Sequence, residues 1–358
     1  MSGSAATYLS PLPRAGATKA IRKVTVKVDC MTAGNESLTT AKAGFLEPLS
    51  ILARQRESWS VALPPGLLMR ALANMGTLHQ VFQLLKLQPF AQAAPANPRF
   101  AFKYLTHDYL VQGFKVAERA ACFLHHYRRM HATLPDYLLQ QILQGDVTVH
   151  TIPECGNQFS LSMGYSRAYD KEGELSINLL VDGDVVFLLS FTIVPGWVVK
   201  SQAAEVLLIT RIQGMKGCYN QVHLATRTMH DVAPAGLLPA ALQGIASAFG
   251  ISGLAAVCAF RQSSYSKELA GTFKTAYDDF FVELGLPKNT AGFFVTQIPI
   301  EGKPLFSIKQ GHKLRTRDKR ALKLQIQSAV ARFFAQDSVL TATRELPVEM
   351  QAPPVQCG

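Results

Sequence analysis

Cysteine pairs at metal-ligand or redox spacing are missing from this sequence. The six cysteines, Cys30, Cys122, Cys155, Cys218, Cys258 and Cys357, are scattered and form no C-x-x-C. That excludes a zinc ribbon and a disulfide framework. Cys122 and Cys258 fall in apolar runs, where buried thiols in a reducing compartment are expected. No P-loop, H-E-x-x-H or nucleophile-elbow pattern occurs, so Walker-type, zincin and α/β-hydrolase chemistries have no motif. No metal site is expected. The opening MSGSAATYLSPLPRAG lacks the apolar core of a secretory signal. An unbroken apolar span is lacking too. No charge stands between Asp231 and Arg261, yet Pro234, Gly236, Pro239, Gly244, Gly250 and Gly253 punctuate the stretch. A buried helix followed by a buried strand is expected there, not a transmembrane segment.

What is present is a chain of 358 residues, long enough for a sizeable core and two lobes. Its 36 Lys and Arg outnumber 25 Asp and Glu, for a net charge of +11. That balance suits anionic partners: nucleic acid, a phosphate-bearing small molecule or a lipid surface.

The pattern divides the chain into a flexible arm (1–20), a mainly helical region (21–98), a helical segment (99–150), a mixed α/β core (151–335) and a tail (336–358). Within the second region Ile21–Val28 alternates like a short strand. From about Thr40 to Leu87 apolar residues recur at helical spacing, and 91–98 reads as a linker. Phe102, Leu105, Tyr109 and Leu110 suit one helical face, with a break at Gly113. Val116, Ala120, Phe123, Leu124 and Tyr127 suit a second. PDYLLQQILQG makes a short helix with Gly145 in the left-handed stop position. The period then changes to two at Phe159, Leu161, Met163 and Tyr165. Leu175–Val181 and Val185–Val194 are strands joined at Asp182-Gly183, a tight-hairpin signal. Ala203–Arg211 is a strand, Pro234–Phe249 a helix with Asp231 as its cap, and Gly253–Phe260 a buried strand. Phe273–Leu284 is an amphipathic helix, Gly292–Ile298 a last strand, and a basic helix follows Pro304. The fold class is α/β (α+β): a mixed sheet flanked by helices, with one parallel crossover.

Several blocks resemble the VirK/YbjX family of Gram-negative bacteria, whose biochemical function is unknown. They are FKYLTHDYL (102–110), HHYRRM (125–130), RIQG (211–214), LLPAALQGIASAFGI (237–251), AYDDFFVELG (276–285) and the basic run after Ile308. The resemblance spans about 100–330. It implies an envelope-associated role linked to virulence, placement of surface proteins and resistance to cationic peptides. It implies no catalytic residue.

The region around Arg211 is also similar to the acyl-CoA N-acyltransferase fold, in which a Q/R-x-x-G-x-G/A loop after a strand holds the CoA pyrophosphate on backbone N–H groups. Arg211, Gln213 and Gly214 fall in the matching stretch. Lys216 takes the sixth place, Gly217 comes one place late, and about twenty residues precede the next helix. This resemblance implies acyl-CoA as a cofactor and a proton-donating tyrosine, for which Tyr277 is the candidate; a turn glycine after a buried strand is the plain alternative. His125 and His126 are candidate bases, although adjacent helical residues point about 100° apart and cannot share one site. His230, near a helix start, is a third. Each has a structural alternative, as a packed or surface histidine.

Between Glu301 and Arg332 nine Lys or Arg face two acids. Such a run meets phosphate groups on lipid or nucleic acid, or is simply a solvated helix face. Aromatics are absent from Gly311 to Ala331, which disfavours single-stranded nucleic acid. The expectation is a cytoplasmic protein, peripheral to the inner membrane, acting as an envelope accessory. An acyltransferase-like enzyme is the alternative, and a nucleic-acid-binding protein a weaker one.

Overall fold

The computed structural model describes residues 65–93, 100–152, 158–166, 171–302, 304, 306 and 308–338. The arm, the strand expected at Ile21–Val28 and all but the first residues of the tail lie outside them. Helices α1 (Pro65–Ala73), α2 (Met75–Leu85), α3 (Phe90–Ala93), α4 (Val116–Thr133) and α5 (Asp136–Gln144) precede the sheet. One hydrophobic core runs from Ala71 to Phe334, so these helices share it with the sheet.

Seven strands follow: β1 (Asp146–Ile152), β2 (Phe159–Tyr165), β3 (Leu175–Val181), β4 (Asp184–Pro195), β5 (Glu205–Gly214), β6 (Gly253–Val257) and β7 (Phe293–Gln297). They lie side by side in chain order. All neighbours are antiparallel except β5 and β6. Between those two the chain crosses over through α6 (Tyr219–Thr228) and α7 (Pro234–Phe249). A broken helix joins β6 to β7: α8 (Ala270–Phe273), a π stretch (Lys274–Asp279) and α9 (Phe280–Glu283). The outermost helix is α10 (Lys313–Ser338).

The hairpin behaves as its sequence requires. Asp182 and Gly183 have φ of 52° and 91°, the double left-handed turn that matches strand twist. Helix α7 starts on Pro234, which sacrifices no intrahelical donor, and stops at Gly250 with φ 69°. It carries no charge because it is buried between the sheet and α10. A methyl on Gly244 would overlap the Gln327 carbonyl and stand 3.0 Å from Val330 Cβ, so this glycine permits the close approach of α10. Leu322, Ile326, Val330 and Phe334, four residues apart, form the buried stripe on the α10 side of that contact.

Cross-strand rows give the sheet two unlike faces. Val147, Met163, Ile177, Leu189 and Ile212 make an apolar row. One residue along, Asp146, Gly164, Ser176, Ser190 and Arg211 make a polar one on the opposite face.

Four expectations are corrected. Residues 102–110 are not one helix. A 3₁₀ turn (Phe100–Leu105) gives way to a loop with left-handed Leu110 and Gly113, whose N–H groups at Leu110 and Gln112 bond to Lys171 and Arg261 carbonyls. Gly145 ends α5 in an extended, not left-handed, conformation because β1 begins at the next residue. Asp231 does not cap α7; Ala233 is the boundary residue. Strand β5 does not end at Arg211 but runs on to Gly214, since β4 offers partners as far as Phe187. Among the described residues no helix is long and apolar enough to cross a membrane.

Candidate functional site

The β5–β6 pairing covers only Val206–Ile209 against Gly253–Ala256. Beyond Ile209, β5 continues without β6 beside it. The π stretch brings the buried Tyr277 to this parted edge, close to the Ile212 backbone. Next to it, on the polar row, the Arg211 guanidinium donates to Glu172 Oε2 at 2.6 Å, both side chains largely buried. Burial, then the Glu172 charge, pushes the Tyr277 phenol up, and Arg211 opposes them. The phenol is therefore a proton holder rather than a base. Thr210 fastens the same loop by donating to the Glu172 carbonyl. A Cβ on Gly173 would lie 2.8 Å from Ser190 Cβ, so the residue there must be glycine.

A second polar centre is sealed inside the core. Glu174, just before β3, receives the Lys103 ammonium and the Tyr127 hydroxyl at Oε2, and the Tyr109 hydroxyl at Oε1. Lys103 also donates to the Tyr165 hydroxyl at 3.1 Å, and its Nζ lies 4.7 Å and 5.1 Å from the ring centres of Tyr165 and Phe100. All these groups are buried. Burial, then the Glu174 charge, pushes both Tyr109 and Tyr127 well above the ordinary phenol range. They remain protonated donors to the Glu174 carboxylate. Its work is to fix residues 103–109 and α4 to the sheet. Lys103, Tyr109 and Tyr127 stand in the recognisable blocks 102–110 and 125–130. Glu174 was not foreseen, because Glu-Gly-Glu before a strand reads as a solvated turn; the one signal is an acid adjoining a fully buried strand.

The candidate histidines separate. His126 is buried, and its Nδ1 accepts the Ile193 N–H at 3.2 Å, at a point that β3 does not reach. Burial, then the Lys103 charge, holds its pKa well below the usual range, so the ring is neutral. His125 faces elsewhere and meets Glu205 Oε2 at 2.9 Å. Arg129 holds the other Glu205 oxygen at 2.9 Å and also bonds to the Phe249 carbonyl. Glu205 begins β5 and Gly214 ends it, so His125 lies roughly 30 Å from Gln213 and Gly214. His230 is exposed at the far end of α7 from Phe249, about 24 Å along the helix axis. Gly217, with φ 84°, sits in the exposed turn before α6. Arg211 and Tyr277 are thus brought together, and the histidines are not. Among the described residues no His, Cys, Asp and Glu group could hold a metal.

The third feature is the solvent side of α10. Seven Lys or Arg and two acids occur in the helix. On the inner flank Arg315 pairs with Asp231 at 2.8 Å and Lys319 donates to the Asp231 carbonyl at 2.7 Å. These contacts pin the start of α10 to the turn after α6, and leave Arg317, Ala321, Gln325, Ser328 and Arg332 exposed.

A family model described as a protein of unknown function (DUF535) matches residues 66–331. No curated protein and no solved structure matches the chain.

Proposed function

The chain belongs to the DUF535 family, the VirK/YbjX family, and from that premise we propose that it is an envelope- and virulence-associated accessory protein of a Gram-negative cell. In this reading it works on the cytoplasmic side, peripheral to the inner membrane, with α10 turned towards anionic lipid. One observation carries the reading: among the described residues the exposed positions of α10 hold Arg315, Arg317 and Arg332 and no acid, while its inner side is fixed on α7. Each basic side chain near an anionic leaflet contributes about 1 kcal/mol. The test is co-sedimentation with anionic vesicles after replacing Lys309, Lys313 and Arg317 by Gln. Lys319 and Lys323 are poorer choices, since Lys319 is bonded to Asp231 and burial lowers the Lys323 pKa. Loss of three charges weakens binding by about 100-fold; unchanged binding refutes the reading.

The parted edge of β5 favours a second reading, an acyltransferase-like enzyme using an acyl-CoA. Tyr277 is then the proton donor, and Arg211, Gln213, Gly214 and Gly217 line the cofactor's approach. His125, His126 and His230 have no place beside them. Acyl-CoAs then raise the melting temperature, and Arg211→Ala abolishes the rise. No shift with any CoA thioester sinks this reading.

A further inference from the structure

We propose that α10 is an interfacial anchor whose leucines enter the lipid, and not only an electrostatic tether. The inference rests on the reading of α10 as lipid-facing. Leu314 is 70% exposed and Leu324 60% exposed, and upstream Phe306 is 85% exposed. At about 100° per residue, Leu314, Arg317, Ala321 and Leu324 fall within one arc of about 80°. That arc lies opposite the buried stripe of Leu322, Ile326, Val330 and Phe334. The helix cannot roll to hide the leucines. The stripe holds it on α7, with Phe249 and Phe334 rings 5.5 Å apart, and Asp231 holds Arg315 and Lys319.

Leu314 and Leu324 stand about 15 Å apart along the axis, with Arg317 between them. A polyanion such as RNA satisfies the arginines and leaves the leucines in water. A bilayer surface satisfies both, with cations among the headgroups and leucines at the acyl boundary. Asp318 is the one acid in this part of the helix, and it lies to the side of the arc.

The experiment uses the full chain and vesicles of phosphatidylcholine with phosphatidylglycerol, at low and high salt. Wild type is compared with Leu314→Ser/Leu324→Ser, after equal melting temperatures show that both are folded. The expected result is that wild type stays bound when salt is raised, whereas the leucine variant binds at low salt and is released, at least about tenfold weaker. If the variant matches wild type at both salts, the anchor is overturned while the electrostatic reading stands. Absence of binding at any salt overturns both. Binding to RNA that competes fully with the vesicles and ignores the leucine changes also overturns the lipid assignment.

Discussion

Removing one partner from the Lys103–Glu174 centre should cost more than any comparable change in the core. Both groups are buried, and Glu174 has no counter-charge besides Lys103 among its hydrogen-bond partners. Lys103→Met leaves the carboxylate with two phenol donors in a fully buried site. Glu174→Gln leaves the ammonium among aromatic rings. Breaking a buried pair in this way costs about 3–5 kcal/mol, out of a total stability of roughly 5–15 kcal/mol. The double variant Lys103→Met/Glu174→Gln carries no charge; one tyrosine hydroxyl still donates to the side-chain amide oxygen, and the other can accept from the amide N–H. Its cost should fall short of the sum by at least about 2 kcal/mol. Urea unfolding of the four proteins reads the cycle. Additive costs, or a Glu174→Gln cost under about 1 kcal/mol, would show that the pair is not the counter-charged centre described above.

Three further outcomes are expected. His126 is neutral in the fold, whereas the unfolded chain binds a proton there below about pH 6.5. Its contribution is therefore intact above that value and lost progressively as pH falls towards the depressed folded value. His126→Gln should lower the urea midpoint at neutral pH yet flatten its decline towards pH ~5.5; parallel curves would contradict this. Gly244→Ala should destabilise by about 1–3 kcal/mol, because its methyl meets the Gln327 backbone; an unchanged melting curve would mean that α7 and α10 do not touch there. Glu205 carries both His125 and Arg129, which hold its carboxyl below the ordinary range although burial pushes it up. Its share of stability is thus full above the ordinary glutamate pKa and is lost as pH falls below it. Glu205→Gln should remove that acid-side loss, read as urea midpoints between about pH 5 and 3.

Local chemistry made much of the fold legible. Asp182-Gly183, Pro234 and Gly250 each dictate a backbone conformation, and the elements they bound were readable to within a residue. What was not legible depends on distant partners. Strand β1 mixes exposed Asp146, Thr148 and Thr151 with a register shift near Val149, so its alternation fails. Residues 102–110 have helical spacing, but Leu110 and Gln112 bond across the fold to Lys171 and Arg261. The end of β5 depended on the length of β4. Of the candidate residues, Arg211 and Tyr277 meet because β5 outruns β6. The histidines shared only their residue type, and burial, not sequence, separates His126 from His125. Glu174 stayed hidden because its donors come from two separate segments, 102–110 and 125–130.

The central claim is that the outward side of α10 sits in a lipid surface. Leu324→Trp places a reporter on that side, and anionic vesicles with brominated acyl chains quench indoles that reach the chain region. The account predicts more quenching for this variant than for wild type, reversed by adding Leu314→Ser with the Lys309, Lys313 and Arg317 changes. Vesicle-bound protein with no quenching beyond wild type would contradict it.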